Sequence, residues 1–529
     1  MVWLSEENKR SKKILTSEKN ISLENIFKSP VFLLTIIGVI TLIIRVYYFP
    51  YEIPITLDGS NYFWYAIDMS LLDEFPSGYT FPNNGWPSFL YIFFSLFNSD
   101  DFLDYMNLQR SLSIIISVST IIPVYLLCTR FFKKQYAILG SILFAFEPRL
   151  ILNSTLGISE PLFIMLGTIS LYFFLSKKWM YIYLSFVIAA LYTLVRYEGL
   201  LLIVPLSIIF LIRFRKDKKV VLKYLVVISL FVLILLPMMY IRSETTGQDG
   251  VISHVSGATK SAIALDGQEQ SQIFEIIGYT FGNFSKYFIW MLIPSLLFFV
   301  PYGLIMLFKN RDLNKITLIL VGIALLIPAL YAYFRNISDV RYLLSIIPIL
   351  CVISVYTFEK IDQRFKKPGF LITVFIICLF ATSIVFLEYN KVDYGHEIEA
   401  FEIAKEVTER TNVINHSYHI DFDVPESKYY RTANLLSLQT FPILSAEIPD
   451  RIEFVELVGH DSLEGYIEFG KKMGLTYLVI DDSARQPSFL QDVFVHEEEY
   501  PYLLKEFDSR DSGYQYHVKI FRIDYEVLK

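Results

Sequence analysis

Eleven apolar runs set the terms for this chain, at residues 30–49, 103–128, 135–147, 161–176, 179–195, 199–213, 220–241, 286–308, 315–334, 341–358 and 369–387. A hydrocarbon core of roughly 30 Å is crossed by about 20 apolar residues in a helix. Lipid offers backbone amides no partner, so such runs are satisfied only as helices. The chain is 54% hydrophobic and 16% aromatic, more than a soluble globule of 529 residues needs. The expected fold class is a mainly α polytopic membrane protein of about 11 transmembrane helices. The first run lacks the short apolar core and small-residue cleavage site of a signal peptide, so it reads as a retained span. Cys128, Cys351 and Cys378 all fall inside apolar runs, which leaves no disulfide framework for the extramembrane parts.

Charge orients the runs. From Val46 to Gln109 there is no Lys or Arg, while Glu52, Asp58, Asp68, Asp73, Glu74, Asp100, Asp101 and Asp104 lie there. Lys and Arg concentrate on cytoplasmic loops, so this acidic, aromatic-rich segment is expected outside. The basic tail, residues 1–29, is then cytoplasmic. With alternating connectors, the expected inner side carries 24 Lys and Arg and the outer side 7. An odd number of helices places the C-terminal region outside.

Residues 30–387 form the expected membrane domain. Residues 388–529 change character, with 28 Asp and Glu against 14 Lys and Arg. Their pattern is mixed: a helical period at 397–410, a helix and strand at 463–481, and strand-like alternation at 514–525. The expectation is a small C-terminal extracytoplasmic α/β domain that stabilises the outer face or binds an acceptor or partner protein. The chain shows no internal repeat, no nucleotide-binding glycine fingerprint and no metal-spaced Cys/His set.

Few charges interrupt the apolar runs, whereas transporters and proton pumps place ionisable groups near the midplane. The polar groups cluster at the expected outer helix ends, which favours a site at the outer surface. Nucleotide sugars and ATP are scarce outside a cell, so a synthetic enzyme there needs a donor delivered through the bilayer. A polyprenyl-phosphate sugar meets that need, with its tail among the helices and its phosphate at the interface.

Asp58 opens an amphipathic aromatic stretch, Thr56–Ala66 (TLDGSNYFWYA), suited to an interface. Its carboxylate could take the proton from an acceptor hydroxyl; equally, Asp58-Gly59 could form a turn or a helix cap. Glu160 precedes Pro161, as in the first turn of a helix; the functional reading has it facing Asp58 and orienting acceptor, donor or a metal. Arg149, Arg196 and Arg341 sit at expected outer ends, where a guanidinium binds phosphate through paired hydrogen bonds. The plain alternative is that they snorkel to lipid headgroups. No cofactor is assigned, and a divalent metal is left open.

These elements resemble, in order, the GT-C superfamily of membrane glycosyltransferases. Within it the chain is similar to the branch of dolichyl-phosphate-mannose–protein mannosyltransferases and the bacterial aminoarabinose transferase. The matching pieces are TLDGSNYFWYA, NNGWPSFLYIFFSLF at Asn83–Phe97, SEPLF at Ser159–Phe163, LVRYEGLLL at Leu194–Leu202 and DVRYLLSIIPIL at Asp339–Leu350. The resemblance implies an integral membrane glycosyltransferase moving a monosaccharide from a polyprenyl (dolichyl-type) phosphate to an extracytoplasmic hydroxyl with inversion. It implies Asp58 as base or acceptor-orienting group. The chain departs from relatives with two adjacent acidic residues in this loop, because Gly59 follows Asp58, which bears on metal use and on a protein O-mannosyltransferase identity. It also lacks the Trp-Trp-Asp motif of oligosaccharyltransferases. Expected partners are the lipid-linked sugar, membrane lipids and a glycan, lipid or protein acceptor, with no nucleic acid; the expected location is the plasma membrane, or the endoplasmic reticulum in a eukaryote.

Two further features are weighed. The polar stretch Arg242–Lys286 reads as a lid or acceptor-contact loop, or as a plain connector. Sequons at Asn153, Asn283, Asn336 and Asn415 are short patterns that arise by chance. The competing function is a noncatalytic polyprenyl-lipid-binding or lipid-transporting protein using the same arginines for headgroups.

Overall fold

The computed structural model describes residues 29–55, 57–76, 83–99, 102–263, 270–309, 312–365, 368–395, 398–400, 402–403, 444–446, 461–472, 475–482 and 487–528. Nearly all the apolar runs become helices, because a helix satisfies its own amides in lipid. In chain order, α1 is Pro30–Tyr47, α2 Leu57–Leu72, α3 Gly85–Phe94, α4 Phe102–Ser119, α5 Ile121–Cys128, α6 Lys134–Ala145, α7 Pro148–Ser154, α8 Glu160–Phe174 and α9 Trp179–Val195. A 3-10 helix at Tyr197–Leu202 leads into α10 (Ile203–Arg213). Then follow α11 (Val220–Thr246), α12 (Ile252–Ile263), α13 (Gln270–Leu292), α14 (Val300–Phe308) and α15 (Leu313–Phe334). A second 3-10 helix, Val340–Ile346, leads into α16 (Ile347–Arg364), and α17 is Pro368–Tyr389.

The protein is an integral membrane protein of the expected helical class, but the length of its helices modifies the count of eleven. Among the described residues six helices are long and apolar enough to span, seven if α6 and α7, bent by 56°, form one span. The helices α8 and α9 are apolar but shorter. The run at 286–308 is not one helix: α13 stops at Leu292 and α14 starts at Val300. Pro294 lacks an amide donor, which interrupts the hydrogen-bond ladder there. The stretch 242–286 is mostly helical rather than loop. Gly247 and Gly250, at φ 72 and 75, turn the chain out of α11. Asp249 Oδ1 then receives the Val251, Ile252 and Ser253 amides at 2.8, 2.5 and 3.2 Å, starting α12.

Charges do lie deep in the bundle, among them Arg45, Arg242 and Glu147. Arg45 on α1 is fully buried and donates to Ser154 at 3.1 Å and Ser117 at 3.0 Å, tying α1 to α7 and α4.

The tail contains an antiparallel sheet of β1 (Leu444–Ala446), β2 (Leu475–Asp481), β3 (Leu503–Asp508) and β4 (Val518–Ile523), in the order β1-β2-β4-β3. Strand alternation gives it two apolar faces. Leu478, Ile480 and Phe521 pack with Tyr466 and Ile467 of α18 (Leu463–Lys472) and Leu490 and Val493 of α19 (Ser488–Val495). Val479, Val518 and Ile520 point the other way and join the main apolar core. The helix and strand expected at 463–481 and the strand within 514–525 form there; of the period at 397–410, residues 398–400 and 402–403 are helical and the rest lie outside the described residues.

Candidate functional site

Arg110 sets the geometry at the start of α2. Buried on α4, it donates to the carbonyls of Pro50, Ile53 and Pro54 at 3.1, 2.7 and 3.0 Å and so fixes the connector from α1. One residue back, Gln109 Nε2 donates to Gly59 O at 3.0 Å and Gly157 O at 2.7 Å. Trp86 of α3, fully buried, donates to the same Gly157 carbonyl at 3.0 Å. These bonds join the first turn of α2 to the turn between α7 and α8, and thereby place Asp58 and Glu160 in one region. The aromatic residues Tyr62, Phe63 and Tyr65 face protein: all three are buried.

Gly59 explains why one carboxylate stands alone in this turn. A side-chain carbon on it would lie 2.4 Å from Ile55 Cγ2 and 2.9 Å from Leu156 O. There is no room for a second acidic residue beside Asp58. Gly59→Asp is expected to destabilise the fold by about 1–3 kcal/mol, the usual cost of overpacking. Thermal unfolding in detergent checks this; an unchanged melting temperature would show that Leu156 yields freely.

The charged groups form two linked sets. Arg196, which ends α9, donates from Nη1 to Glu160 Oε1 at 2.9 Å and from Nη2 to Glu198 Oε1 at 3.0 Å. Burial works against its charge, but Glu198 and Glu160 outweigh that and hold the guanidinium well above its ordinary range. Arg341, in the second 3-10 helix, donates from Nη1 to Asp58 Oδ2 at 3.1 Å and from Nε to Asp339 Oδ2 at 2.5 Å. The second oxygens of Glu160 and Glu198 are buried and accept no hydrogen bond from the described residues. Both therefore retain capacity for a donor such as a hydroxyl.

A cavity of about 590 Å³ opens over these sets, and its polar lining includes Asp58, Asn61, Tyr62, Asn83, Arg196, Glu198 and His254. Leu200, Leu201, Val255, Ile327 and Ile337 are among its apolar lining. A crevice of about 30 Å³ adjoins it and is lined by Glu160, Arg196, Glu198, Arg341 and Tyr342. A further narrow gap, about 20 Å³, continues from it past Phe163, Tyr192 and Leu325 to Val321 and Ile349. Volume and lining suit a small polar group joined to an apolar one.

Asp58, Glu160, Arg196 and Arg341 are thus assembled, although Glu160 does not face Asp58 across a shared cavity. Glu160 pairs with Arg196 and borders the crevice; Asp58 pairs with Arg341 and borders the main cavity. Arg149 is elsewhere. It is 5% exposed, paired with Glu147 at 3.4 Å, bonded to the Ile293 carbonyl and stacked near Trp290 and Phe386. It lines neither cavity, because the first turn of α7 points it at the end of α13. Among the described residues no three His, Cys, Asp or Glu side chains gather closely enough to hold a metal ion. Of the sequons, Asn153 is buried and Asn415 lies outside the described residues.

The sequence reading missed four participants. Glu198 and Asp339 each lie two residues from an arginine they hold, in RYE and DVR, and that spacing was the available signal. Asn83 reaches the site because Gly85 lets α3 meet the end of α9: a side-chain carbon there would lie 2.6 Å from the Leu194 and Val195 backbone. His254 arrives on α12 with no local signal, its ring 5.7 Å from that of Tyr197.

Burial, and then the charge of Arg242, hold His254 below the ordinary histidine value of 6.5, while Asp249 and Glu198 oppose them. The unfolded chain therefore takes up this proton at a higher pH than the folded protein. Stability is fully present above about 6.5 and is lost as pH falls below it. His254→Gln is expected to lose less melting temperature than the wild type between about pH 7 and about pH 5. Equal losses would show that His254 carries none of the acid sensitivity.

Residues 87–241 match the family model described as dolichyl-phosphate-mannose-protein mannosyltransferase. That span contains Glu160 and Arg196 but neither Asp58 nor Arg341. Among solved structures, the apo oligosaccharyltransferase of Archaeoglobus fulgidus is similar at a TM-score of 0.57 and 13% identity, over 85% of this chain and 69% of that one. The same enzyme in complex with an inhibitory peptide and a dolichol-phosphate gives 0.52 and 14%, over 93% and 74%. ArnT from Cupriavidus metallidurans, bound to undecaprenyl phosphate, gives 0.53 and 10%, over 93% of this chain and 97% of that one. No curated protein sequence matches. At these identities the likeness to the solved structures is one of fold.

Proposed function

The chain has the GT-C fold of membrane glycosyltransferases, and we propose on that premise that it transfers a monosaccharide from a polyprenyl phosphate to an acceptor hydroxyl, with inversion, on the extracytoplasmic side. One observation carries this reading: Asp58, Arg196 and Arg341, from three distant segments, meet where a cavity lined by both polar and apolar residues adjoins a charged crevice. The acceptor oxygen attacks the anomeric carbon while Asp58 takes its proton, and the bond from that carbon to the phosphate oxygen breaks. The electron pair stays on the lipid phosphate, where Arg196 and Arg341 offset the growing charge. The open oxygens of Glu160 and Glu198 receive sugar hydroxyls, and Asn61, Asn83 and Tyr62 supply further hydrogen bonds. The lipid phosphates bound in two solved structures of this fold support the donor class. The absence of a Trp-Trp-Asp motif supports a single sugar rather than a preassembled glycan.

Asp58 and Arg341 are the catalytic base and a phosphate partner, Arg196 is the second cation, and Arg149 is a packing residue of α7 rather than a phosphate ligand. The test is transfer of radiolabel from a panel of polyprenyl-phosphate monosaccharides in membranes containing the protein. Label in a new product supports the enzyme. Donor that binds saturably and is never consumed supports the noncatalytic lipid-binding alternative.

A further inference from the structure

Arg341 is held by two carboxylates with unequal grips. Asp339 holds it twice: Oδ1 accepts the Arg341 amide at 2.8 Å, capping the 3-10 helix, and Oδ2 accepts Nε at 2.5 Å. Asp58 touches only Nη1, at 3.1 Å, from a helix 283 residues earlier in the chain, and its side chain is 58% exposed. Arg196 shows no such asymmetry, since Glu160 and Glu198 are only 9% and 11% exposed. Four carboxylates thus surround two guanidiniums. Among the described residues Arg341 Nη2 donates to none, so a phosphate that binds side by side to Nη2 and Nη1 competes only with Asp58. The exposed, singly bonded Asp58 is the partner that water can most readily receive.

Resting on the transferase reading above, we propose that Arg341 is an exchange point: the donor phosphate takes Nη1 in place of Asp58, and the released carboxylate turns to the acceptor hydroxyl. In the free enzyme the guanidinium holds Oδ2 of Asp58, and seating the donor leaves both carboxylate oxygens free to turn to the acceptor. Asp339 keeps Arg341 in place throughout, because it holds Nε and the Arg341 backbone amide and leaves Nη1 to the exchange. The exchange itself moves no proton. During transfer the acceptor proton passes to the freed Asp58, and the leaving phosphate remains paired with Arg341.

The test measures the affinity of undecaprenyl phosphate for the purified protein in detergent, for wild type, Asp58→Asn, Arg341→Gln and the double variant. Removing the competing carboxylate should tighten binding by roughly two- to fivefold, the size of a partly exposed ion pair. The gain should vanish when Arg341 is Gln. Unchanged or weaker binding by Asp58→Asn overturns the exchange. An equal gain in the Arg341→Gln background also overturns it, since that outcome reflects general relief of charge. If the wild type does not bind the lipid phosphate, the donor reading fails first and the exchange falls with it. A second measurement needs only the soundly folding Asp58→Asn as its control: infrared difference spectra on adding undecaprenyl phosphate should show a carboxylate stretch shifting in the wild type and not in the variant. No shift in the wild type would overturn the exchange.

Discussion

Asp58→Asn is expected to lower kcat by about 10²–10⁴-fold, the usual contribution of a positioned proton acceptor. The amide keeps the size and most of the contacts of the carboxylate. Its side chain is largely exposed, so the fold should hold. What it loses is the ability to accept a proton from the attacking hydroxyl, which leaves water or an unpositioned group to do so. KM for the donor should not rise, because the lipid phosphate is bound by arginines rather than by Asp58. Single-turnover transfer with a saturating lipid-linked sugar separates the chemical step from release of the product. A variant turning over within a factor of about three of wild type would remove Asp58 from the chemistry.

Arg196→Gln should have the largest effect on stability of any single change at the site. Glu160 and Glu198 keep 9% and 11% of their side-chain surface and share this one guanidinium. Taking it away leaves two enclosed carboxylates without the cation they bond, with Arg341 still near Glu160, and breaking a buried pair in this way costs about 3–5 kcal/mol. The expected result is a melting temperature well below the wild type, with transfer lost in whatever folds. Replacing Glu160 and Glu198 by Gln in the same chain should restore much of the stability without restoring transfer. That contrast separates the structural task of Arg196 from its task toward phosphate. Failure of the triple substitution to recover stability would show that packing, and not charge, makes Arg196 necessary.

The helical class was legible because apolar length is a one-dimensional property, and so was the break into a mixed tail, where charge reverses sign. Where helices end was less so. Pro294 sat in plain view, yet 286–308 read as one run because hydropathy does not register a missing amide. Asp58, Arg196 and Arg341 could be picked out because cations are scarce on the expected outer side and because the motifs around them follow a family order. Arg149 shared that scarcity, and its destination was set by something the sequence does not display: the 56° bend between α6 and α7 turns it inward. His254 was invisible for the reverse reason, since α12 owes its position to the turn at Gly247 and Gly250 and to packing over the first 3-10 helix.

The contact at Gly59 also constrains how this protein can change over time. A second acid at position 59 carries a cost that repacking Ile55 alone does not lift, because the Leu156 carbonyl also stands there and no side-chain replacement removes it. The turn holding that carbonyl leads directly to Glu160, so making space at position 59 means moving the carboxylate that balances Arg196. Variation at the two acidic positions is therefore coupled through backbone. A lineage would have to reshape the α7–α8 turn before a second acid in α2 could be kept, and the order of those steps is fixed by geometry rather than by selection for activity.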